Sequence, residues 1–344
     1  MGLPLYAYFA SYEDPPIITK INTKLFSVED YLTLSPGDGP IYTSAIDIKK
    51  QLLYFGANTS PGRITKVRIS DFTKISSLDL DTEDEYVYGI KINPTTQKAF
   101  VALGTFPGRA ARIDLETFAK DASIEFPVLR GYTTTPLLAN ERNRVYFTTS
   151  GPVDSTEPSH LQNCSQDPFV RISELQINPN PYILYCAEID SQGNYAYLEY
   201  FEGFILYLAK IYLPTMSLAS KINISTITEG MAGAVIAENR GEVIFVTKDI
   251  PSKILIFSLT PFDLIETIDL GQDVFWPTGI VYNPLYQKVY FPIITAPITI
   301  IEFDLRSKTI TKTLLLDPSI GSIVSATIEL SRIKLDYLPL VGIG

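Results

Sequence analysis

The chain repeats one pattern of apolar and polar positions along its length. Each copy has a short apolar run, a turn containing Asn, Asp or Glu, and a second apolar run that carries Tyr or Phe. The stretches beginning at Tyr8, Tyr54 and Phe100 show this most clearly, because they start 46 residues apart and share aromatic, Pro and basic positions. The whole chain contains seven copies, whose equivalent positions are Ile46, Ile92, Leu138, Ile189, Ile236, Ile280 and Ile328.

Each copy predicts four strands, A to D, and no helix. In one unit the runs Tyr86–Ile92, Lys98–Leu103, Arg109–Leu115 and Asp121–Phe126 are separated by turn signals such as Asn93-Pro94. Units of about 40–50 residues with four strands each are typical of a β-propeller. We therefore predict an all-β fold in which seven blades of four antiparallel strands form one domain over residues 1–344.

The two ends of the chain predict how the ring closes. The first copy begins at strand B, with Leu5–Ala10, and no strand A precedes it. The last apolar run, Ile323–Leu330, reads as a strand A with no complete blade after it. We expect this run to pair with Leu5–Ala10 and complete the first blade, which removes two open sheet edges.

The strand B aromatic residues are predicted to form the core between neighbouring blades. They recur at equivalent positions, and the alternation of a strand would place them all on one side. The set is Tyr54, Phe100, Tyr146, Tyr197, Phe245 and Tyr290.

The repeats resemble a known family. The motifs INPTTQKAFVAL, YNPLYQKVYFPI and IDSQGNYAYLEY are similar to the repeats of YVTN-type seven-bladed propellers, although the Tyr-Val-Thr-Asn tetrapeptide itself is absent. The resemblance implies the propeller fold and favours an extracellular, cell-surface or virion location. It implies no reaction.

Composition and net charge disfavour some classes of binding partner. The formal charge of −10 opposes nucleic-acid binding, which depends on neutralising phosphates, and no apolar run is long enough to span a bilayer. The start of the chain shows no signal peptide pattern. The two cysteines, Cys164 and Cys186, are interpreted as free thiols rather than one bridge. The state of oligomerisation is left open.

Candidate metal ligands have simpler interpretations. A recurring polar position in the A–B turn resembles a ligand ring, but Asp and Asn favour such turns because their side chains bond the turn backbone. Its members are Asp47, Asn93, Asp190, Glu238 and Asn283. The only histidine, His160, falls in a predicted loop insertion at 151–168 between strands B and C. That loop also holds Asp154, Glu157, Cys164 and Asp167, and a solvated loop is favoured over a cation site.

Two functions remain open. No GxSxG, Walker, HExxH or GxGxxG pattern occurs in the required context, so we predict no catalytic residue, metal or cofactor. The first hypothesis is a non-catalytic binding or scaffold propeller that contacts a protein or glycan. The second is a lactonase-like hydrolase or lyase that uses channel carboxylates and a divalent cation. Three or more converging channel carboxylates would favour the enzyme, and an aromatic face without a polar pocket would favour the binder.

The predicted partner-binding surface is the face where B–C loops and D–A links meet. Topology pools sequence-distant loops there, and Trp, Tyr and Arg are enriched at binding hot spots. The candidates are Tyr12, Arg63, Phe106, Arg109, Tyr132, Phe275 and Trp276. The alternative interpretation is that Trp276 fills space between blades and the two arginines are merely solvated.

Overall fold

The chain is a seven-bladed β-propeller. A computed structural model describes residues 5–127, 131–150, 158–178, 186–294 and 297–329. Seven four-stranded sheets follow one another around a ring, and each has its strands in the order A, B, C, D from the channel outward. The predicted all-β fold is confirmed. The helices among the described residues are single 3₁₀ turns, at Asn140–Arg142, Glu238–Arg240 and Pro318–Ile320.

The strands of each blade are consecutive in sequence except in the first. Blade 1 combines β28 (Ile323–Ile328) with β1 (Tyr6–Ser11), β2 (Ile17–Asn22) and β3 (Ser27–Thr33). Blade 2 consists of β4 (Ile41–Asp47), β5 (Leu52–Ala57), β6 (Arg63–Arg68) and β7 (Thr73–Asp79). Blade 3 consists of β8 (Val87–Asn93), β9 (Lys98–Leu103), β10 (Arg109–Asp114) and β11 (Ala119–Glu125). Blade 4 consists of β12 (Thr133–Ala139), β13 (Arg144–Thr149), β14 (Ser159–Ser165) and β15 (Val170–Asn178).

The remaining three blades follow the same order. Blade 5 consists of β16 (Ala187–Ile189), β17 (Tyr195–Glu202), β18 (Ile205–Tyr212) and β19 (Ser217–Asn223). Blade 6 consists of β20 (Met231–Ala237), β21 (Glu242–Thr247), β22 (Lys253–Ser258) and β23 (Leu264–Asp269). Blade 7 consists of β24 (Val281–Asn283), β25 (Lys288–Ile293), β26 (Thr299–Asp304) and β27 (Thr309–Leu315).

The ring closes as predicted. Strand β28 pairs antiparallel with β1, with Ala7 opposite Ile328 and Phe9 opposite Ala326. The Tyr8 hydroxyl adds a buried hydrogen bond of 2.8 Å to the carboxylate of Glu329. The strand ends at Ile328, two residues before the predicted end, and Leu330 lies outside the described residues. The two ends of the chain therefore share one blade.

The strand B aromatic residues form the core between blades, which confirms the predicted register. All six predicted side chains are buried, and Tyr8 is buried at the same position of blade 1. Several contact an aromatic residue in the C–D turn of the next blade; the Tyr54 and Phe118 rings, for example, have centroids 6.0 Å apart. Such an aromatic pair joins five of the seven neighbouring blade pairs, whereas the equivalent turn residues of blades 5 and 7 are Met216 and Lys308.

The loop insertion predicted over residues 151–168 covers fewer residues in the structure than predicted. Residues 151–157 lie outside the described residues, but Ser159–Ser165 forms strand C of blade 4. Its polar residues made this segment resemble a loop, yet all seven are buried between strands B and D. The side-chain amide nitrogens of Gln162 and Asn163 donate to Glu174 and Ser173 of the next strand, while the Asn163 Oδ1 has no partner among the described residues.

The two faces of the ring differ in what builds them. Antiparallel strands place the described B–C loops and D–A links at one end of the blades, which we call the upper face. The A–B and C–D turns form the lower face. Every C–D strand pair also contains an irregular register near the lower end, a feature that twists exposed edge strands away from further pairing.

Candidate functional site

All seven predicted partner-binding residues lie on the upper face. Tyr12 and Phe106 lie in B–C loops, Arg63 and Arg109 begin strands β6 and β10, and the other three lie on D–A links. Phe106 and Trp276 are each 53% exposed and Tyr12 is 36% exposed. The Phe275 and Trp276 rings meet edge to face, with centroids 6.3 Å apart. Trp276 therefore presents its ring to solvent.

The two arginines are held by carboxylates. The Arg109 guanidinium donates to Asp84 at 2.8 Å and to Glu125 at 2.7 Å. Arg63 donates both to Asp79, through two nitrogens, and to the carbonyl of Gly37. These contacts brace the D–A link against the outer strands. Any role in binding a partner would add to this structural one.

A buried aspartate anchors each of these networks. Burial opposes ionisation of Asp38, but hydrogen bonds from Lys74 and Ser77 outweigh it and hold the pKa of Asp38 below its usual value. Lys74 donates at 2.5 Å and Ser77 at 2.8 Å. The carboxylate is therefore charged at neutral pH and fixes the link that precedes strand A.

A row of tyrosines crosses the same face. The ring centroids of Tyr12 and Tyr42 are 6.3 Å apart, those of Tyr42 and Tyr88 are 5.0 Å apart, and those of Tyr88 and Tyr132 are 6.4 Å apart. Tyr86 stacks beside Tyr88 at 6.4 Å. We call these five residues the tyrosine arc. It joins four successive blades, because its members come from the first B–C loop and the links or first residues of three strands A.

The sequence analysis found only the two ends of this arc. Tyr42 and Tyr88 were missed, although they are separated by the repeat distance of 46 residues, as are Tyr86 and Tyr132. That repetition was the available signal. The three added residues are partly buried, and two of them, Tyr42 and Tyr88, also line the channel between the strands A.

Other upper loops end in exposed apolar side chains. Phe204, at the tip of the B–C hairpin of blade 5, is fully exposed, and Ile250, in the B–C loop of blade 6, is 63% exposed. Neither was predicted. The lower face has two exposed large apolar side chains in its described turns, Leu25 and Leu285. The upper face is thus the more apolar of the two.

The seven strands A surround a narrow channel of about 210 Å³. Small and polar side chains line much of it, and Ser325 donates to Ser44 at 2.7 Å. The carboxylate that lines it, Glu188 of blade 5, pairs with Lys91 of blade 3 at 3.7 Å. Because blades 3 and 5 are not neighbours, this ion pair crosses the channel.

The recurring polar residues of the A–B turns form hydrogen bonds that stabilise the turns. The Asp47 carboxylate accepts from the amides of Lys49 and Lys50, and the Asn93 and Asn283 side chains accept in the same way. Asp190 accepts from an amide in its own turn, and Glu238 accepts from Ser191 of the preceding blade. These side chains hold turns and join blades.

The predicted loop cluster around His160 does not come together. His160 and Cys164 are buried in β14, where the His160 Nδ1 lies 2.8 Å from the carbonyl of Pro158, and Asp167 pairs with Arg112. Asp154 and Glu157 lie outside the described residues. Cys164 and Cys186 are free and buried. Among the described residues, no three His, Cys, Asp or Glu side chains are grouped as metal ligands.

Comparison with known proteins supports the fold. No family model matches the chain, and no curated protein matches it in sequence. A functionally unknown protein from Desulfotomaculum acetoxidans has a similar structure, with a TM-score of 0.72 and 12% identity over 94% of this chain and 98% of that one. A Bacteroides fragilis protein described as a "putative 6-phosphogluconolactonase" matches with a TM-score of 0.72 and 11% identity over 95% and 98%.

A third neighbour is the β-propeller domain of Myceliophteria thermophila Cps50 (Swd1). It has a TM-score of 0.64 and 10% identity, covering 81% of this chain and 88% of that one. At these identities the likeness establishes the propeller fold and no activity. No helix in the described part of the chain has the length and apolar character needed to cross a membrane.

Proposed function

We propose that this protein is a non-catalytic binding propeller whose upper face contacts a protein or glycan partner. The observation that carries the proposal is the tyrosine arc, which spans four blades. Tyrosine suits this role because its ring gives a large apolar contact while its hydroxyl bonds polar groups. Strands β4 and β8 hold Tyr42 and Tyr88 at the middle of the arc, so little ordering of these two residues would be required on binding.

The exposed apolar loop tips support the same face. Phe106, Phe204, Ile250 and Trp276 project from loops on a rigid ring, where binding residues commonly lie. Large exposed apolar side chains gathered on one face favour an interaction surface over a purely solvated one. The charge of −10 disfavours nucleic acid as the partner.

The proposal extends to the setting in which the protein acts. The motif INPTTQKAFVAL and its equivalents favour membership of the YVTN-type propellers. With that resemblance goes a scaffold role in a cell-surface, secreted or virion assembly. A scaffold needs a broad contact surface and no catalytic groups. The upper face suits this role.

The hydrolase or lyase alternative requires channel carboxylates that are free to hold a cation or a water molecule. The channel carboxylate Glu188 is paired with Lys91, which argues against this role. Hydrolysis of a lactone panel, assayed with and without divalent cations, tests the alternative. Activity that is lost in Glu188→Gln would replace the binding proposal.

The arc is tested by a double substitution, Tyr42→Ser/Tyr88→Ser. Candidate partners are first captured from the source cells by cross-linking and identified, and purified partner or glycan is then titrated. We expect the double variant to weaken binding by about tenfold or more, the effect of losing a hot-spot contact of over 1.4 kcal/mol. The control is Tyr31→Ser, which removes an exposed tyrosine from the outer strand β3. Equal binding by both variants and the native chain would refute the proposal.

A further inference from the structure

Blade 7 carries a groove that runs along its outer strands, from Leu315 at the upper end of β27 to Ile310 near its lower end. It encloses about 460 Å³ between the D–A link that enters blade 7 and strands β26 and β27. Its walls are mostly apolar, and the residues that matter to the argument are Asp273, Val274, Thr299, Ile310, Thr313 and Leu315. The repeat allows this groove to be compared with the same place in other blades.

In blade 3 this place is filled by two cations around a buried carboxylate. Arg109 and Lys120 both donate to Asp84, whose side chain is inaccessible to solvent. Arg109 also bonds Glu125 at 2.7 Å and lies 3.7 Å from Glu83. The Arg109 side chain reaches Asp84 from the upper end of strand C, and the Lys120 side chain reaches it from near the lower end of strand D.

Blade 2 repeats the arrangement. Arg63 and Lys74 surround Asp38, at 3.5 Å and 2.5 Å, and Arg63 also pairs with Asp79. Asp38 is again fully buried. Two successive blades therefore close this space with the same set of charged side chains.

Blade 7 has the same backbone but different side chains. The amides of Asp38, Asp84 and Val274 each bond the carbonyl three residues earlier, which places Val274 where the aspartates stand. Strand pairing sets Thr299 opposite Ile293 and Leu315, as Arg109 is set opposite Leu103 and Glu125. Thr299 thus replaces the arginine. By the same register Ile310 replaces Lys120 and Leu315 replaces Glu125.

In blade 1 the equivalent space is apolar, and the protein's own side chains fill it. There the arginine position is occupied by Ile17, which packs against a core that includes Ile320, the residue at the aspartate position. In blade 7 the shorter Thr299 does not fill the space. The groove is therefore open because one large side chain is missing.

Asp273 indicates which side chain would fill it. It occupies the position of Glu83, the acid that faces Arg109 in blade 3. Asp273 is exposed on the groove wall, and no described residue forms an ion pair with it. A guanidinium entering the groove would pair with Asp273, as Arg109 pairs with Glu83 in blade 3. The methylene groups of the same side chain would lie on Val274 and Ile310.

We propose that the groove binds an arginine or lysine side chain, flanked by apolar residues, from a protein partner. The partner's side chain would take the place that Arg109 takes in blade 3. This inference rests on the proposed function and specifies the chemistry of the partner. The apolar walls, which include the exposed Leu315, favour neighbours such as leucine.

The test is a titration with N-acetyl-Leu-Arg-Leu-amide, followed by tryptophan fluorescence. Trp276 is the only tryptophan and lies two residues from Val274, so its emission reports on the groove. We expect a saturable change, and binding about threefold to fivefold weaker when citrulline replaces arginine, as expected for losing one exposed ion pair. Asp273→Asn should abolish this preference while keeping the weaker binding.

A second set of variants fills the groove. Thr299→Arg/Val274→Asp installs the pair found in blade 3 and should reduce peptide affinity by about tenfold or more. Thr299→Ile, which copies blade 1, serves if the double variant fails to fold, and Thr309→Arg adds a charge on the same blade away from the groove as a control. No saturable change, equal binding to a filled variant, or equal affinity for the arginine and citrulline peptides would each overturn the proposal.

The failure of this inference can be separated from failure of the proposed function. Tyr42→Ser/Tyr88→Ser leaves the groove residues unchanged and should leave the peptide titration unaltered. A groove that binds the peptide while the arc binds no partner would refute the arc alone. A partner that needs the arc but a groove that rejects the peptide would refute the groove alone.

Discussion

At the residue scale, one repeated position shows how much a single polar atom matters. Tyr8 and Tyr54 occupy the same place in strands β1 and β5 and both are fully buried. The Tyr8 hydroxyl donates to Glu329, but the Tyr54 hydroxyl has no hydrogen-bond partner in the described part of the chain. Burying an unpaired hydroxyl costs about 1–3 kcal/mol, whereas a paired one is close to neutral or stabilising.

We therefore expect opposite effects from the same substitution. Tyr54→Phe should leave the free energy of unfolding unchanged or raise it by about 1 kcal/mol, because phenylalanine already occupies this position in Phe100 and Phe245. Tyr8→Phe should lower it by about 1–2 kcal/mol, because it removes a buried hydrogen bond to Glu329. Urea denaturation of both variants measures the difference. Equal effects would show that the two hydroxyls share one environment.

At the element scale, the blades are joined by repeated contacts between a strand and the next blade. A cation in strand C lies over the aromatic residue of the neighbouring C–D turn, with Lys66 4.0 Å from the Phe118 centroid and Arg112 5.9 Å from that of Phe169. Such cation–π contacts add roughly 0.5–2 kcal/mol each. Blades 5 and 6 share a further connection, in which the buried Glu199 accepts from the amide of Met231 at 2.8 Å.

Glu199 should make stability depend on pH. Burial raises its pKa to about 7, although Lys248 and the Met231 amide partly oppose this. Because the folded pKa lies above the usual 4.5, the carboxyl's contribution is complete below pH 4.5 and is lost as the pH rises through about 7. The shift in pKa corresponds to a loss of about 3 kcal/mol in the free energy of unfolding. Cys186 and Glu188 are the other titratable groups at this site.

The free energy of unfolding in urea is measured for the native chain and for Glu199→Gln at about pH 5, 6, 7 and 8, a range that spans the titration. The variant should lose most of the decline in stability across this range. Glu141→Gln, which changes an exposed glutamate, is the control and should retain it. A Glu199→Gln slope identical to that of the native chain would show that Glu199 is ionised throughout.

The sequence predicted the elements well and the contacts between them poorly. Period, strand order, closure and buried aromatic residues follow from local alternation, which a strand preserves wherever it lies. The strand Ser159–Ser165 was missed because its burial depends on neighbours, not on its own polar residues. The tyrosine arc arises from side chains of different blades, and the groove arises where a link meets the outer strands of blade 7, so only the folded chain brings these residues together.

At the scale of the whole molecule, the ring is stabilised by joining its two ends. Strand β28 contributes the only strand A of blade 1, and it also packs beside Ile21 and Phe9 in the core between blades 7 and 1. Without it, two blades would lose their shared contact and expose strand edges. Closure therefore couples the first and last blades, so the seven blades should unfold together.

Deletion of everything after Gly321 tests this coupling. The shortened chain lacks β28 and the Tyr8–Glu329 bond, and we expect its thermal unfolding to become broad, with early exposure of apolar surface to a hydrophobic dye. A matched chain ending at Glu329 keeps every described bond of β28 and should retain a single sharp transition. Blades held only by their neighbours would instead behave as a linear array, whose ends fray first while the middle persists. A chain ending at Gly321 that melts as sharply and at the same temperature as the matched chain would mean that blade 1 is stable without its strand A, and that the ring owes its stability to pairs of neighbouring blades alone.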